Sequence, residues 1–560
     1  MQAAVAAQSW EIADTSANRV VMRLLPSLTD FVFLLPSFLL FCMLPGTTVL
    51  LGDGDTGWHI RTGEWILQHR TVPRVDLFSF TKAHQPWFAW EWGWDLIFAV
   101  IHGRAGLAGV AFVTIALLSF ISALLFRLIR RYSDSDVLAF ALTIVAICGS
   151  MIHWLARPHL VSWLFALIFS HLILSAEEGK TKALYVLPVL MCLWVNLHGG
   201  FFVGLALLVT AACGKVLNGI LRADSLAHSV SSASPFAIST LLCALATLIN
   251  PYGWRLHQHI FSYLSDSKLL DNINEYQSIS FHRGTALFFE CMLLLGIASL
   301  GWCVVHRKLG DALSIVLWAH LGLVSGRNIP FYLLVAAPPI ACMLRDAFSG
   351  LRSFPALARI GEACFEIGTE FQRFERVERW YPASASVVLV VALLLGSNRP
   401  AYAAQFKPEN FPVTAMPKLE DVQFSRVFTY DQWADYLIYV RYPSQKVFMD
   451  DRTDFYGSDF VTEYQHIVSA RYDCEALLKR YGIDAVLIRP DEALATVLKH
   501  SPDWVLLFDD GKAAIFKQRS DWALTPAQTG ASPLLTISSR SRDGGRELGR
   551  SWKVDARVQQ

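Results

Sequence analysis

Residues 30–51 read DFVFLLPSFLLFCMLPGTTVLL and run without a break into Gly52-Asp53-Gly54-Asp55-Thr56-Gly57-Trp58-His59-Ile60-Arg61-Thr62-Gly63-Glu64-Trp65. The first part has the roughly 20 mostly apolar residues that a helix needs to cross a hydrocarbon core about 30 Å thick. Residues 1–20 contain no apolar core and the first apolar run is too long for a cleaved signal peptide, so it reads as a retained anchor. The second part is abruptly polar, with two acids set among glycines at the point where the chain leaves the apolar run.

Composition carries the same message outward from this stretch. Of 560 residues, 54% are hydrophobic and only 17% charged, with a mean hydropathy of +0.38; soluble chains are about one quarter charged. A net charge of +1 gives no electrostatic footprint for nucleic acid. The 10 cysteines are scattered, mostly in apolar runs, with no metal-ligand spacing, and read as small buried hydrophobes.

Further apolar runs lie near 106–127, 137–153, 159–176, 183–197, 200–221, 236–250, 285–305, 309–326, 329–346 and 384–397, which predicts about eleven spans. A re-entrant or interfacial helix is expected around 92–103. Arginines and lysines (Arg127, Arg130, Arg131, Lys180, Lys182, Lys215, Arg222, Arg307, Lys308 and those of 345–380) fall on one side if the N-terminus is cytoplasmic. The expected division is a cytoplasmic segment 1–29, a membrane domain 30–397 with an outer loop 52–105, an extracytoplasmic α/β domain 398–520, and a disordered tail 521–560. In the α/β domain, strands are expected at Val427–Tyr430, Val447–Met449, Ala485–Ile488, Trp504–Phe508 and Ala513–Phe516.

The polar residues of interest gather on the outer side. Glycines near Asp53 and Asp55 allow positive φ and close approach to a ligand. A carboxylate there suits a general base or one ligand of a divalent cation; equally, Asp and Thr suit the N-terminus of a helix over 57–68. The tryptophans of the loop suit either a headgroup-level position or stacking on sugar rings. Arg157-Pro158-His159, Asn196-Leu197-His198, Asn250-Pro251-Tyr252 and Gly326-Arg327-Asn328 mark the outer ends of spans. They read as helix ends singly, and as a functional rim together. An arginine at such a rim is suited to a lipid phosphate.

A many-span chain with an acidic motif after its first span, a long first outer loop and an outward C-terminal domain resembles the GT-C glycosyltransferases. These include the oligosaccharyltransferase catalytic subunits, the protein O-mannosyltransferases and the aminoarabinose transferases, and this chain is similar to a bacterial branch of them. Asp55-Thr56-Gly57-Trp58-His59 stands at the place of their acidic motif. Phe428-Thr429-Tyr430-Asp431-Gln432-Trp433 and Phe448-Met449-Asp450-Asp451-Arg452 are similar to the outer domain of the oligosaccharyltransferases, without the double tryptophan by which those recognise an acceptor sequon.

The resemblance implies transfer of a sugar from a polyprenyl-phosphate-linked donor to an extracytoplasmic glycan, lipid or protein, in a bacterial inner membrane. It implies Asp55, with Asp53 as alternate, as general base or metal-orienting carboxylate, and Glu91 orienting the acceptor or holding the loop. Arg327, Arg157, His159 and His198 would hold the donor phosphate. His59, Trp58, Asn250, Tyr252, Glu275, Tyr430 and Asp451 would line the cavity or meet the acceptor. It leaves open Mg²⁺ or Mn²⁺, with Asp55 among the ligands. A transporter or flippase, or a non-enzymatic assembly factor for envelope polysaccharide, are the rival readings; a transporter predicts internal repeats, and none is visible in the sequence.

Overall fold

Helices occupy every one of the apolar runs in a computed structural model, which describes residues 16–519 apart from 283, 285, 354, 355, 357, 376, 377, 398, 400, 401 and 422–424. The tail expected to be disordered lies outside the described residues, as do residues 1–15. The first run begins as α1 (Leu28–Phe38), entered through a capping box. The Ser27 hydroxyl accepts the Asp30 amide at 3.1 Å, and the Asp30 carboxylate accepts the Ser27 amide at 2.9 Å. The acidic motif opens α2 (Asp55–His69), two residues earlier than expected.

Then comes α3 (Trp92–Ser133), in which Gly106 has φ 58° and ψ −157°, splitting the element into two limbs. That backbone conformation suits glycine, which has no Cβ to clash. The first limb is the short helix expected at 92–103. Further on, α4 (His159–Glu177), α5 (Phe202–Leu221), α6 (Trp254–Ser265), α7 (Leu309–Val324) and α8 (Ile329–Leu351) supply most of the side chains discussed below.

Among the described residues, eight helical stretches are long and apolar enough to cross a membrane, and three others, Thr181–Val195, Leu309–Val324 and Pro382–Leu395, are apolar but shorter. The expected count of about eleven therefore becomes eight by length. Helices of 10–17 residues rising 1.5 Å each stop short of a core of about 30 Å.

After the helices comes a four-stranded sheet. Its strands are β1 (Val427–Thr429), β2 (Ala485–Ile488), β3 (Trp504–Asp509) and β4 (Ala514–Gln518), in the order β1-β2-β4-β3, with only the β1–β2 pair parallel. Val447–Met449, expected as a strand, makes single bridges from Val447 to Val427 and to Ser79 and then leaves the sheet. Leaving there carries Asp450 and Asp451 inward. A helix the sequence pattern did not suggest, α9 (Asp431–Arg441), follows β1 directly.

Three apolar cores result, one among the helices, one within the sheet region, and one between them. The third joins Trp58, Phe78 and Trp87 of the first loop to Trp433, Leu437 and Val447 of the C-terminal region. Loop and C-terminal region thus fold onto each other within a single unit spanning residues 16–519.

Candidate active site

The acidic motif is shaped by α9. The Gly54 amide donates to Gln432 Oε1 at 2.8 Å, and Gln432 Nε2 in turn donates to Asp451 at 3.1 Å. A Cβ built on Gly57 would stand 2.7 Å from Tyr439 Cβ, and one on Gly54 2.7 Å from Asp435 Cβ. Gly54 has φ −69° and neither glycine takes positive φ. Their expected role in admitting a ligand is therefore corrected: they admit a helix, because α9 lies against α2 closely enough to leave no room for a side chain. Arg61 Nε seals the contact by donating to the Tyr439 carbonyl at 2.7 Å.

The two acids then part company. Asp53 accepts the Asp55 amide at 2.9 Å from just outside the helix, whose cap position is Gly54 with no side-chain cap. Asp55 turns to Arg157, at 2.6 Å. Arg157 also meets Asp53 at 2.9 Å and Glu275 at 2.7 Å. Asp451 completes the group: ligand oxygens of Asp53, Asp55 and Asp451 lie within 4.8 Å of one another. Asp435, fully buried, stands behind them. Burial and the neighbouring Asp55 push Asp53 up to about 7, against the pull of Arg157. The same two causes raise Asp451 and Asp435. Glu275 goes the other way: burial would raise it, but Arg157 and Arg327 override that and hold it below the usual carboxylate range.

This arrangement fits a hard divalent cation, which takes carboxylate oxygens as ligands. Asp55 Oδ1 is buried with no hydrogen-bond partner, and three carboxylates crowd around one guanidinium, so a cation would relieve both. Asp53, Asp55 and Asp451 are the residues that could hold it.

The cluster forms one wall of a cavity of about 520 Å³, whose lining includes Asp55, Asp451, Glu275, Arg157, Arg327, Glu91, His59, Trp58, His159 and His198. Ten of the fourteen expected site residues thus converge, with Asp53 just behind. Arg327 lines the cavity with its guanidinium over the Tyr276 ring at 4.8 Å and a long, 3.9 Å contact to Glu275. Arg157, expected at the donor phosphate, is instead engaged by three carboxylates. Glu91 sits between two imidazoles, 3.5 Å from His198 Nε2 and 3.9 Å from His59 Nε2. Burial pushes Glu91 up to about 8 despite Arg157 and Arg327.

Three expected residues lie elsewhere. Asn250 donates to the Thr247 carbonyl and accepts the Tyr252 amide, closing a helix end. Tyr252 ties the first loop together, donating to the Pro73 carbonyl and accepting the Ala89 amide. Tyr430 packs edge-on against Trp433 beneath Arg489. All three serve the frame because their polar groups are taken up by nearby backbone or covered by packing.

Sequence reasoning missed others. Asp95 bonds His59 Nδ1 at 2.6 Å, with both side chains buried. As the lone acid at the start of a long apolar helix, it carried a signal. Arg452 pairs with Asp76 at 2.6 Å and Asp450 at 2.7 Å. Asp454 meets His259 at 2.8 Å. Gln432 and Asp435 were hidden because α9 was, although Ala434, Leu437, Ile438 and Arg441 repeat at helical spacing.

No family model matches the sequence, and no curated protein matches it. Solved structures of similar fold include the apo oligosaccharyltransferase of Archaeoglobus fulgidus, 11% identical, with a TM-score of 0.51 over 82% of this chain and 69% of that one. Another is the archaeal oligosaccharyltransferase AglB from Archaeoglobus fulgidus in complex with an inhibitory peptide and a dolichol-phosphate, 12% identical, with a TM-score of 0.50 over 89% and 74%. At such identity the likeness is one of fold alone.

Proposed function

We propose that this protein is a multi-pass membrane glycosyltransferase that moves a sugar from a polyprenyl-phosphate-linked donor to an acceptor on the outer face of a bacterial plasma membrane. One observation carries the reading: a single large cavity holds a cluster of carboxylates and Arg327, with imidazoles and aromatic rings in the same lining. The donor class is supported by the fold relative whose structure holds a dolichol-phosphate. The side is supported by the lysine and arginine bias of the loops.

Glycosyl transfer from such a donor leaves charge on the departing phosphate, and fixed cations in a water-poor cavity stabilise it. Arg327 is the residue for that task, since Arg157 is bound to acids. Asp55, Asp53 and Asp451 would hold Mg²⁺ or Mn²⁺, which when bound supplies positive charge beside the phosphate. His159 and His198 wall the phosphate end. Trp58 offers an apolar face to a sugar ring, and Glu91 orients the acceptor. The C-terminal region, with the first loop folded on it, closes the cavity from the outer side.

The test uses the full chain in nanodiscs with undecaprenyl-phosphate-linked hexoses and pentoses labelled in the sugar. Time-dependent release of undecaprenyl phosphate is expected for one of them. Asp55→Asn should reduce it by about 100-fold or more, and Arg327→Ala should weaken donor use while the protein still folds. Normal release by Asp55→Asn sinks the assignment of that residue. Movement of intact donor across the bilayer, without release, would favour a flippase.

A further inference from the structure

The cavity holds more titratable groups than phosphate binding requires, and their hydrogen bonds distinguish them. His198 Nδ1 accepts the Gly200 amide at 3.0 Å, which leaves the proton on Nε2, the atom facing Glu91. His159 Nε2 lies 2.8 Å from the His153 carbonyl and so must donate there. His59 has the opposite arrangement. Its Nδ1 lies 2.6 Å from a carboxyl oxygen of Asp95 and its Nε2 stands on the Glu91 side of the cavity; with the proton of that contact on Nδ1, the Nε2 lone pair faces that side. The tautomer of an imidazole is set by the partner of its other nitrogen.

The Asp95–His59 pair is expensive for the fold. Both side chains are at least 99% buried, and Asp95 Oδ2 has no hydrogen-bond partner. Burying an acid this way, with one oxygen unpartnered, is unfavourable for the fold. The contact also sits where α2 and α3 cross most tightly, with Gly63 packed directly against Asp95 and Ala99. The geometry of the imidazole is therefore held rigidly.

We propose that His59, oriented by Asp95, takes the proton from the acceptor, and that the acceptor's attacking atom is a hydroxyl oxygen; the proposal rests on the glycosyl-transfer reading above. The hydroxyl oxygen forms its bond to the anomeric carbon of the donor sugar as its proton passes to His59 Nε2. The bond between the anomeric carbon and the phosphate oxygen breaks, and its electron pair leaves on the lipid phosphate beside Arg327. The imidazolium, paired with Asp95, then returns the proton to water. Asp95 is a positioning residue, and Asp55 is left to the acidic cluster. Glu91, which burial pushes up to about 8, stands between the two rings.

The experiment follows sugar released to water, the simplest hydroxyl acceptor, from a labelled undecaprenyl-phosphate sugar that the full-length protein consumes in nanodiscs. His59→Gly should lower kcat by about 10²–10³-fold with KM unchanged. Added imidazoles should restore turnover, more so as their basicity rises. Asp95→Asn should lower kcat by about 100-fold or more, without rescue. A purely structural pair would alter the unfolding temperature and give no rescue by imidazole. If His59→Gly fails to fold, His59→Gln carries the test: loss of kcat with unchanged KM and unfolding temperature supports the base, and full kcat overturns it. A folded His59→Gly whose deficit no imidazole relieves overturns it too. If the wild-type protein itself releases no sugar from any donor, the glycosyl-transfer reading falls, and this inference with it.

Discussion

Two arginines gather carboxylates in this protein, and they do so to opposite ends. Arg452 is 2% exposed in its side chain and pairs with Asp76 and Asp450, both 0% exposed. Its guanidinium lies between aromatic rings, 4.9 Å from Phe78 and 4.4 Å from Trp87. Arg157 is 17% exposed, and its partners Asp53, Asp55 and Glu275 are 13%, 4% and 25% exposed. Asp451 adds a fourth carboxylate to that second group. The first cluster is almost fully buried and sets two carboxylates on one guanidinium; the second is more exposed and sets four carboxylates about one guanidinium, and both arginines reach the cavity wall. A buried ion cluster that only joins chain segments is expected to come near balance, because uncompensated charge in the interior is costly. An excess left standing beside a cavity is a mark of a binding site.

The largest effect expected from this contrast is on the more buried side. Arg452→Ala leaves Asp76 and Asp450 buried without their cation and should destabilise the protein by about 3–5 kcal/mol, read as loss of folded protein or a large fall in unfolding temperature. Next comes the contact that builds the open side. Gly57→Ala drives a methyl group into Tyr439 and should cost about 1–3 kcal/mol, with donor turnover falling as α9 shifts. An unaltered unfolding temperature would show that α9 does not rest on α2 as described.

A smaller effect is expected from pH. Burial pushes Glu91 up to about 8 in the folded protein from an ordinary 4.5. The folded state therefore holds more protons than the unfolded one between those values, and this contribution to stability is full below about pH 4.5 and is lost as pH rises towards 8. Glu91→Gln should flatten that part of the stability curve, and an identical slope would refute the burial argument. The smallest expected effect on stability is that of Asp55→Asn, which removes one charge from an excess. Its unfolding temperature should stay within a few degrees of wild type, while added Mg²⁺ or Mn²⁺ no longer raises it.

Much of this was legible from local sequence. The apolar runs became helices, the acidic motif became a helix start beside a cavity, and Arg157, Arg327 and His198 came together from span ends with Glu91 and Glu275 from the loops. What could not be read depends on contacts between distant segments. Asp451 reaches Asp55 only because α9 is pressed onto α2 by Gly54 and Gly57, and glycines that open a turn look the same in sequence as glycines that admit a helix. Asp95 finds His59 only where α2 crosses α3. Asn250 and Tyr252 were drawn into the expected site by their place at a span end, which cannot reveal that their polar atoms are already taken by backbone.

The most direct test of the cavity's role is a structure of the protein in lipid with undecaprenyl phosphate added. The account predicts density for a phosphate between Arg327 and the Asp53–Asp55–Asp451 cluster, with the prenyl chain leaving along the helices. A phosphate bound elsewhere, or a cavity that stays free of it at saturating lipid, would contradict the account.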